Sequence, residues 1–462
     1  MLFASQVFLI AFLPAVLALY YLAAGRARLR IWLLIVASLV FYGYWDLRLV
    51  PLLLASVGVN WLFARAIGEG AGRWHVVAGV GLNLLVLGIF KYADFFAGNL
   101  EALFGLEHRA WGIVLPLGIS FFTFQQVSYL VDRARDRAPL YRFDDYALFV
   151  TFFPQLIAGP IVRHNEIILQ YALHPLRPGF DERFSRGLTL LVIGLAKKTL
   201  LADQLAPIAD PLYAASAAGT ALGTIEAWLA AIAFGFQIYF DFSGYSDMAI
   251  GLGLLFGFAL PLNFNAPYRS ISIREFWRRW HMTLSRFLRD YLYIPLGGNR
   301  HGVVRMMLAL MATMLLGGLW HGAAWTFVVW GGMHGLALAV QRAWGQAGIA
   351  LPRVVGWAAT MLVVFLAWVM FRAESFASAW SIWAAMAGGG EGGIALAIAE
   401  PADLWLIALC AFVVLALPVS QRLALERLRP SRLSAAAAGA ALLYVTLLVG
   451  GGRAVEFIYF QF

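Results

Sequence analysis

The chain has 462 residues, of which 62% are hydrophobic and 13% charged. Soluble domains carry roughly 45–50% apolar and about 25% charged residues, so this composition excludes a soluble globular protein and describes an integral membrane protein. The formal net charge of +9 requires no nucleic acid: the arginines fall in short loops between apolar runs, where the positive-inside rule and anionic lipid head groups account for them.

The apolar stretch from Gln6 to Ala24 is followed by Arg26, Arg28 and Arg30 and has no charge before it. Those are the wrong flanks for a cleaved signal, so it reads as a retained first span. A span needs about 20 apolar residues. Candidates lie near 6–24, 31–45, 47–68, 75–96, 113–131, 146–162, 187–206, 221–241, 246–260, 303–320, 325–342, 354–372, 403–420 and 434–452. Two are irregular. The stretch 146–162 holds Pro154, Gly159 and Pro160, as a re-entrant segment would, and 246–260 is short and rich in glycine. The expected architecture is an all-α polytopic membrane protein, one domain over 1–462, with about eleven to thirteen crossings plus re-entrant and interfacial helices. No repeat of 20–50 residues is present, which excludes a solenoid.

Arginine placement predicts orientation. Arg26, Arg28 and Arg30, then Arg65 and Arg73, then Arg133, Arg135, Arg137 and Arg142 mark alternate loops as cytoplasmic, with the N-terminus outside. Near the other end Arg422, Arg427, Arg429 and Arg432 mark a cytoplasmic loop, and the loop Gly388 to Gly393 is expected to be flexible and external. Counting back from there puts the turn at His321 outside. The single cysteine, Cys410, excludes an internal disulfide and a cysteine metal cluster. It lies within LWLIALCAFVVLALP and reads as a small buried hydrophobe.

In FQIYFDFSGYSDMAIGLGLLFGF, the residues Asp241, Ser243, Tyr245, Ser246 and Asp247 stand between long apolar runs. A buried carboxylate needs a cation or several donors, and Arg278 or Arg279 could supply one. The serines could instead cap a helix beginning near Ser246, with Asp247 in its first turn. Lys197 and Lys198, beside Asp203, read as an interfacial pair. A structural or supporting role for Asp241 and Asp247 is favoured over a catalytic one.

From Ser272 to Tyr293 the residues Ile273, Phe276, Trp277, Trp280, Leu284, Phe287, Leu288 and Tyr291 fall on one helical stripe. Arg274, Arg278, Ser285 and Arg289 fall opposite. Such a helix lies in the membrane interface. Ser272 is the expected N-cap, and Pro295 with Gly297 and Gly298 ends the segment. Its arginines suit lipid phosphates or the phosphates of a nucleotide-bearing donor, Arg278 and Arg279 being the candidates. His281 sits at the boundary of the two faces, either bonded to nearby backbone or placed at the mouth of a reaction site.

GGLWHGAAW joins the next two apolar spans around His321. Ionisable residues at membrane depth are rare and point to function, and histidine can accept a hydroxyl proton and return it near working pH. The alternative is a histidine bonded to a carbonyl between helices. His334, in the following span, reads as a packed supporting partner. No phosphate-binding glycine loop with a following lysine, no HExxH and no nucleophile elbow is present, which excludes ATPase, zinc protease and serine hydrolase chemistry. No metal site is expected.

Three stretches, FDFSGYSDMAIGLG (Phe240 to Gly253), EFWRRWHMTLSRFLRDYLYIPLGGNR (Glu275 to Arg300) and LLGGLWHGAAWTFVVWGGMHG (Leu315 to Gly335), resemble the membrane-bound O-acyltransferase family in its bacterial polysaccharide branch. The opening MLFASQVFLIAFLPAVLALYYL and the closing FIYFQF resemble it too, and the likeness is strongest over 115–335. The resemblance implies a funnel of tilted helices, an essential histidine at His321 and a second functional histidine at His281. It implies acetyl-CoA as donor, with no permanently bound cofactor. It implies a bacterial inner-membrane enzyme that passes an acetyl group to hydroxyls of an exported polysaccharide, alginate or a similar exopolysaccharide, directly or through a periplasmic SGNH-type partner. In this picture His321 takes the hydroxyl proton and His281 orients or polarises the donor carbonyl. D-alanyl transfer proteins share both motifs, so another acyl group is an alternative. A multi-span flippase of a lipid-linked sugar and a non-catalytic scaffold are the rivals from other classes.

Overall fold

The computed structural model describes residues 1–68, 74–107, 109–348, 350–390, 401–451 and 457–458. Arg73, part of the expected Gly388 to Gly393 loop and most of the closing FIYFQF lie outside them. Among the described residues every regular element is a helix, as expected where backbone polar groups must be satisfied within a segment.

Among the described residues six helices are long and apolar enough to cross a membrane: Leu47–Ile67, Trp74–Leu103, Thr224–Leu255, Gly302–His321, Arg353–Arg372 and Arg432–Val449. Val7–Leu22 and Ala402–Ala416 are shorter apolar helices. Two expected spans, 221–241 and 246–260, are one continuous helix, Thr224–Leu255. The serines around Ser246 therefore cap nothing, and Asp247 sits in mid-helix rather than in a first turn. The stretch 146–162 is broken: Phe143–Thr151 ends at Phe152, a short helix Phe153–Leu156 follows, and every residue from Tyr146 to Val162 is buried.

The expected helix over Ser272 to Tyr293 is also broken. Ser272 caps it as predicted, its hydroxyl accepting from Glu275 N at 3.2 Å. Yet the first helix runs only over Ile273–Arg279, and a second over Met282–Leu288. Between them His281 adopts φ 42° and ψ 54°, the left-handed region that non-glycine residues seldom occupy. The apolar stripe packs inward, with Ile273, Phe276, Trp280, Leu284, Phe287 and Leu288 all buried.

The chain packs as two compact units of interleaved segments. The first comprises Met1–Leu195, Tyr245–Leu262 and Leu423–Glu456. Rings hold its centre: Phe3 lies 4.8 Å from Tyr245 and 5.4 Å from Phe41, and Phe153 lies 5.8 Å from Phe256. Its apolar helices carry a reciprocal amide pair, Asn60 donating to Asn83 at 3.2 Å and Asn83 to Asn60 at 2.6 Å. Hydrogen bonds of this kind hold helices together where lipid offers no hydrophobic drive.

The second unit comprises Ala196–Gly244, Asn263–Arg422 and Phe457–Phe462. Its core is aromatic. Trp280 lies 4.9 Å from Trp368 and 5.6 Å from Phe276, and Trp330 lies 5.9 Å from Trp368. Polar ring edges are matched within it: Trp368 Nε1 donates to the Tyr268 hydroxyl at 3.1 Å, and Trp357 Nε1 to the Tyr268 carbonyl at 2.9 Å. The helices Gly302–His321 and Trp325–Gln346 form a hairpin whose backbones touch. A methyl at Gly318 would run into the Phe327 carbonyl oxygen, and one at Gly331 into that of Met314. Glycine at both positions is what permits this approach.

Candidate active site

His321 is the last residue of the Gly302–His321 helix and is 5% exposed. The helix stops there because Gly322 is extended and packed so closely that a methyl on it would meet the Phe327 ring. Three rings wall the imidazole: Trp320 at 4.9 Å, Trp330 at 5.0 Å and Phe371 at 5.5 Å between centroids.

His281 is fully buried. Its Nδ1 lies 3.1 Å from Asn263 Oδ1. Its ring meets Phe242 edge-on at 4.7 Å and Trp320 at 6.1 Å. Burial pushes its pKa down to about 3, which favours the neutral ring. Trp320 thus contacts both motif histidines, and a chain brings them together although forty residues of sequence separate them.

His334 extends the cluster. Trp330 and His334 lie one helical turn apart, with centroids 4.9 Å apart, so Trp330 touches both His321 and His334. The Trp277 indole donates to His334 Nδ1 at 3.3 Å, and Phe276 stacks on the ring at 6.0 Å. His334 is therefore packed against Trp330, Trp277 and Phe276.

The carboxylates lie elsewhere. Asp241 is not paired with Arg278 or Arg279. Its Oδ1 meets Lys198 Nζ at 2.7 Å, and its Oδ2 accepts from Ile458 N at 3.0 Å. Lys198 also meets Asp203 at 2.7 Å, with its own side chain 2% exposed. This is a buried ionic cluster, not an interfacial pair. Asp247, fully buried, belongs to the first unit. Arg279 is engaged by Glu275 one turn before it, at 2.7 Å.

A groove of about 530 Å³ opens beside the first of the two short helices, and its cations are Arg274 and Arg342, with Tyr293, Asn299 and Gln341 among its polar lining. Arg278 and Arg279 do not line this groove, whose arginines are Arg274 and Arg342. Nothing in the spacing singles out the latter two, since they come from different helices. Sequence reasoning also missed Asn263, in an irregular loop without period, and His164 in the first unit. His164 is buried with both ring nitrogens engaged, Nδ1 with the Tyr141 hydroxyl at 3.0 Å and Nε2 with Asp132 at 3.4 Å. That is a structural histidine.

The model of the membrane-bound O-acyltransferase family matches residues 119–383. This chain belongs to the membrane-bound O-acyltransferase family. The matched stretch contains Asn263, His281, His321, His334 and the Lys198–Asp241 cluster, so the whole aromatic-walled site lies in the family's defining region. Among curated relatives, the chain is 41% identical to the peptidoglycan O-acetyltransferase of Helicobacter pylori over 425 residues, covering 84% of this chain and 80% of that one. It is 47% identical over 400 residues to the probable alginate O-acetylase AlgI of Azotobacter vinelandii, covering 84% and 78%. It is 28% identical over 238 residues to the teichoic acid D-alanyltransferase of Streptococcus thermophilus, covering 49% and 57%. The protein is a membrane-bound enzyme of O-acyl transfer, and the flippase and scaffold alternatives fall away.

Proposed function

We propose that this O-acyltransferase carries an acetyl group from cytoplasmic acetyl-CoA to hydroxyls of an exported polysaccharide, alginate or a similar exopolysaccharide, in the bacterial inner membrane. Transfer is direct or through a periplasmic SGNH-type partner. The observation that carries the reading is the assembly of His281 and His321 around Trp320 in a buried, ring-walled site. Excluding bulk water protects a thioester from hydrolysis while a positioned imidazole works. The relatives named as acting on alginate and on peptidoglycan support a polymer hydroxyl as acceptor, and the Arg274–Arg342 groove has the chemistry to hold donor phosphates.

In the reaction the acceptor oxygen attacks the thioester carbonyl carbon as its proton passes to His321. The carbon–sulfur bond then breaks, the acetyl group stays on the acceptor oxygen, and the departing thiolate takes the proton from His321. His281 orients the donor. The test is His321→Ala in cells lacking the wild-type gene. The variant is expected to reach the membrane in normal amount and to lose polymer acetylation, a fall of about 10²–10⁴-fold for a lost acid–base group. Normal acetylation by that variant removes the reading. Turnover of labelled acetyl-CoA against a D-alanyl thioester, with purified protein, decides the acyl group.

A further inference from the structure

We infer that Asn263 is a positioning residue that locks His281 as its Nδ1–H tautomer, so that His281 meets a reactant through Nε2 as a hydrogen-bond acceptor. This rests on the reading that His281 belongs to the acyl-transfer site.

The argument starts from a donor that cannot be anything else. The backbone N–H of Thr283 points at the Asn263 side-chain atom at 3.3 Å, and the Thr283 hydroxyl donates to the same atom at 2.8 Å. A backbone N–H only donates, so that atom is the amide oxygen and the orientation of the amide is settled by chemistry. The same oxygen faces His281 Nδ1 at 3.1 Å. An oxygen of this kind cannot donate, so Nδ1 carries the proton. In a neutral imidazole the other nitrogen then holds a bare lone pair. The rings of Phe242, Phe264 and Trp320 around His281 bring no negative charge to hold a second proton. Nε2 is buried and has no hydrogen-bond partner among the described residues.

The backbone fixes this arrangement from both sides. Met282 N donates to the Asn263 carbonyl at 2.9 Å, and Asn265 N donates to the Arg279 carbonyl at 2.9 Å. The loop is thereby clamped across the break that forces His281 into its left-handed conformation. Strained residues of this kind persist where the surroundings over-determine them.

A bare lone pair repels a carbonyl oxygen, so neutral His281 cannot polarise the thioester. It can hold an N–H or O–H. Two reactants offer one: the amide N–H of a pantetheine thioester arm and the acceptor hydroxyl.

The experiment uses detergent-purified full-length protein labelled with 15N-histidine. There are eight histidines, and the His281 resonances are assigned by their loss in His281→Gln. Wild type is expected to show a protonated Nδ1 and a bare Nε2. Asn263→Leu is expected to mix or reverse the tautomers and to slow acetyl transfer by about 10²-fold. Asn263→Asp, which keeps an acceptor at the same place but brings a negative charge beside the ring, is expected to keep the proton on Nδ1 and to favour a second proton on Nε2. A loss confined to KM for the thioester assigns the donor amide as the bonded group, and a loss in kcat alone assigns the hydroxyl. A protonated Nε2 in wild type, or an Asn263→Leu protein with unchanged spectrum and kinetics, overturns the inference. Full-rate turnover by His281→Gln overturns the role of His281 in the reaction, while the wild-type spectrum still reports the tautomer by itself.

Discussion

Lys198 shows how a single buried charge decides local stability. It stands between Asp203 and Asp241, each 2.7 Å away. Breaking a buried ion pair by removing one partner costs about 3–5 kcal/mol, because the remaining charge is stranded. Lys198→Met is therefore expected to lower the unfolding midpoint in detergent clearly, and the double variant with Asp241→Asn to recover part of the loss. An unchanged midpoint for the single variant contradicts this account. Residue type makes the two motif histidines conspicuous, as ionisable groups in apolar company, but only the family resemblance gives them roles. Nothing of the kind marks their partners. Asp241 looked close to Arg278 and Arg279 in chemistry, but Lys198 reaches it from a helix that arrives earlier in the chain. Asn263 has no periodic neighbourhood to mark it, and its contact with His281 exists only because the chain folds back across an irregular loop.

At the level of elements, the hairpin of Gly302–His321 and Trp325–Gln346 is set by glycine. Replacing an unhindered helical glycine with alanine gains up to about 1 kcal/mol. At Gly331 the new methyl would strike the Met314 carbonyl, and overpacking of this kind costs about 1–3 kcal/mol, so the clash wins. Gly331→Ala should lower thermal stability and transfer activity together. Gly345→Ala, in the same helix with nothing within 4 Å, should be neutral or mildly stabilising. Equal behaviour of the two would mean that the helix backbones do not in fact meet. Hydropathy marks the first arm, Gly302–His321, which is long and apolar enough to cross a membrane, but not the second, Trp325–Gln346. It also failed where polarity misleads. Ser243 to Asp247 resemble a helix start but lie inside Thr224–Leu255, where they pack within the helix. The stripe from Ile273 to Tyr291 continues straight through Trp280 and His281, so periodicity cannot reveal that the backbone turns there.

For the whole molecule, the orientation argued from arginine placement sets the side from which each loop can be reached. Cys410 is fully buried, so the chain has little intrinsic thiol reactivity. A cysteine placed at exposed Ala347 should react with an impermeant maleimide only after the cytoplasmic face is opened, and one at exposed Glu374 should react in intact spheroplasts. The reverse pattern refutes the orientation and with it the expected outward position of the His321 turn. Gly318 and Gly331 carry one further implication. They press main chain against main chain, so no side chain at that seam is left to shrink when its neighbour grows. Over evolutionary time the outward faces of the two helices can drift freely. A change at either of these glycines has no second-site remedy.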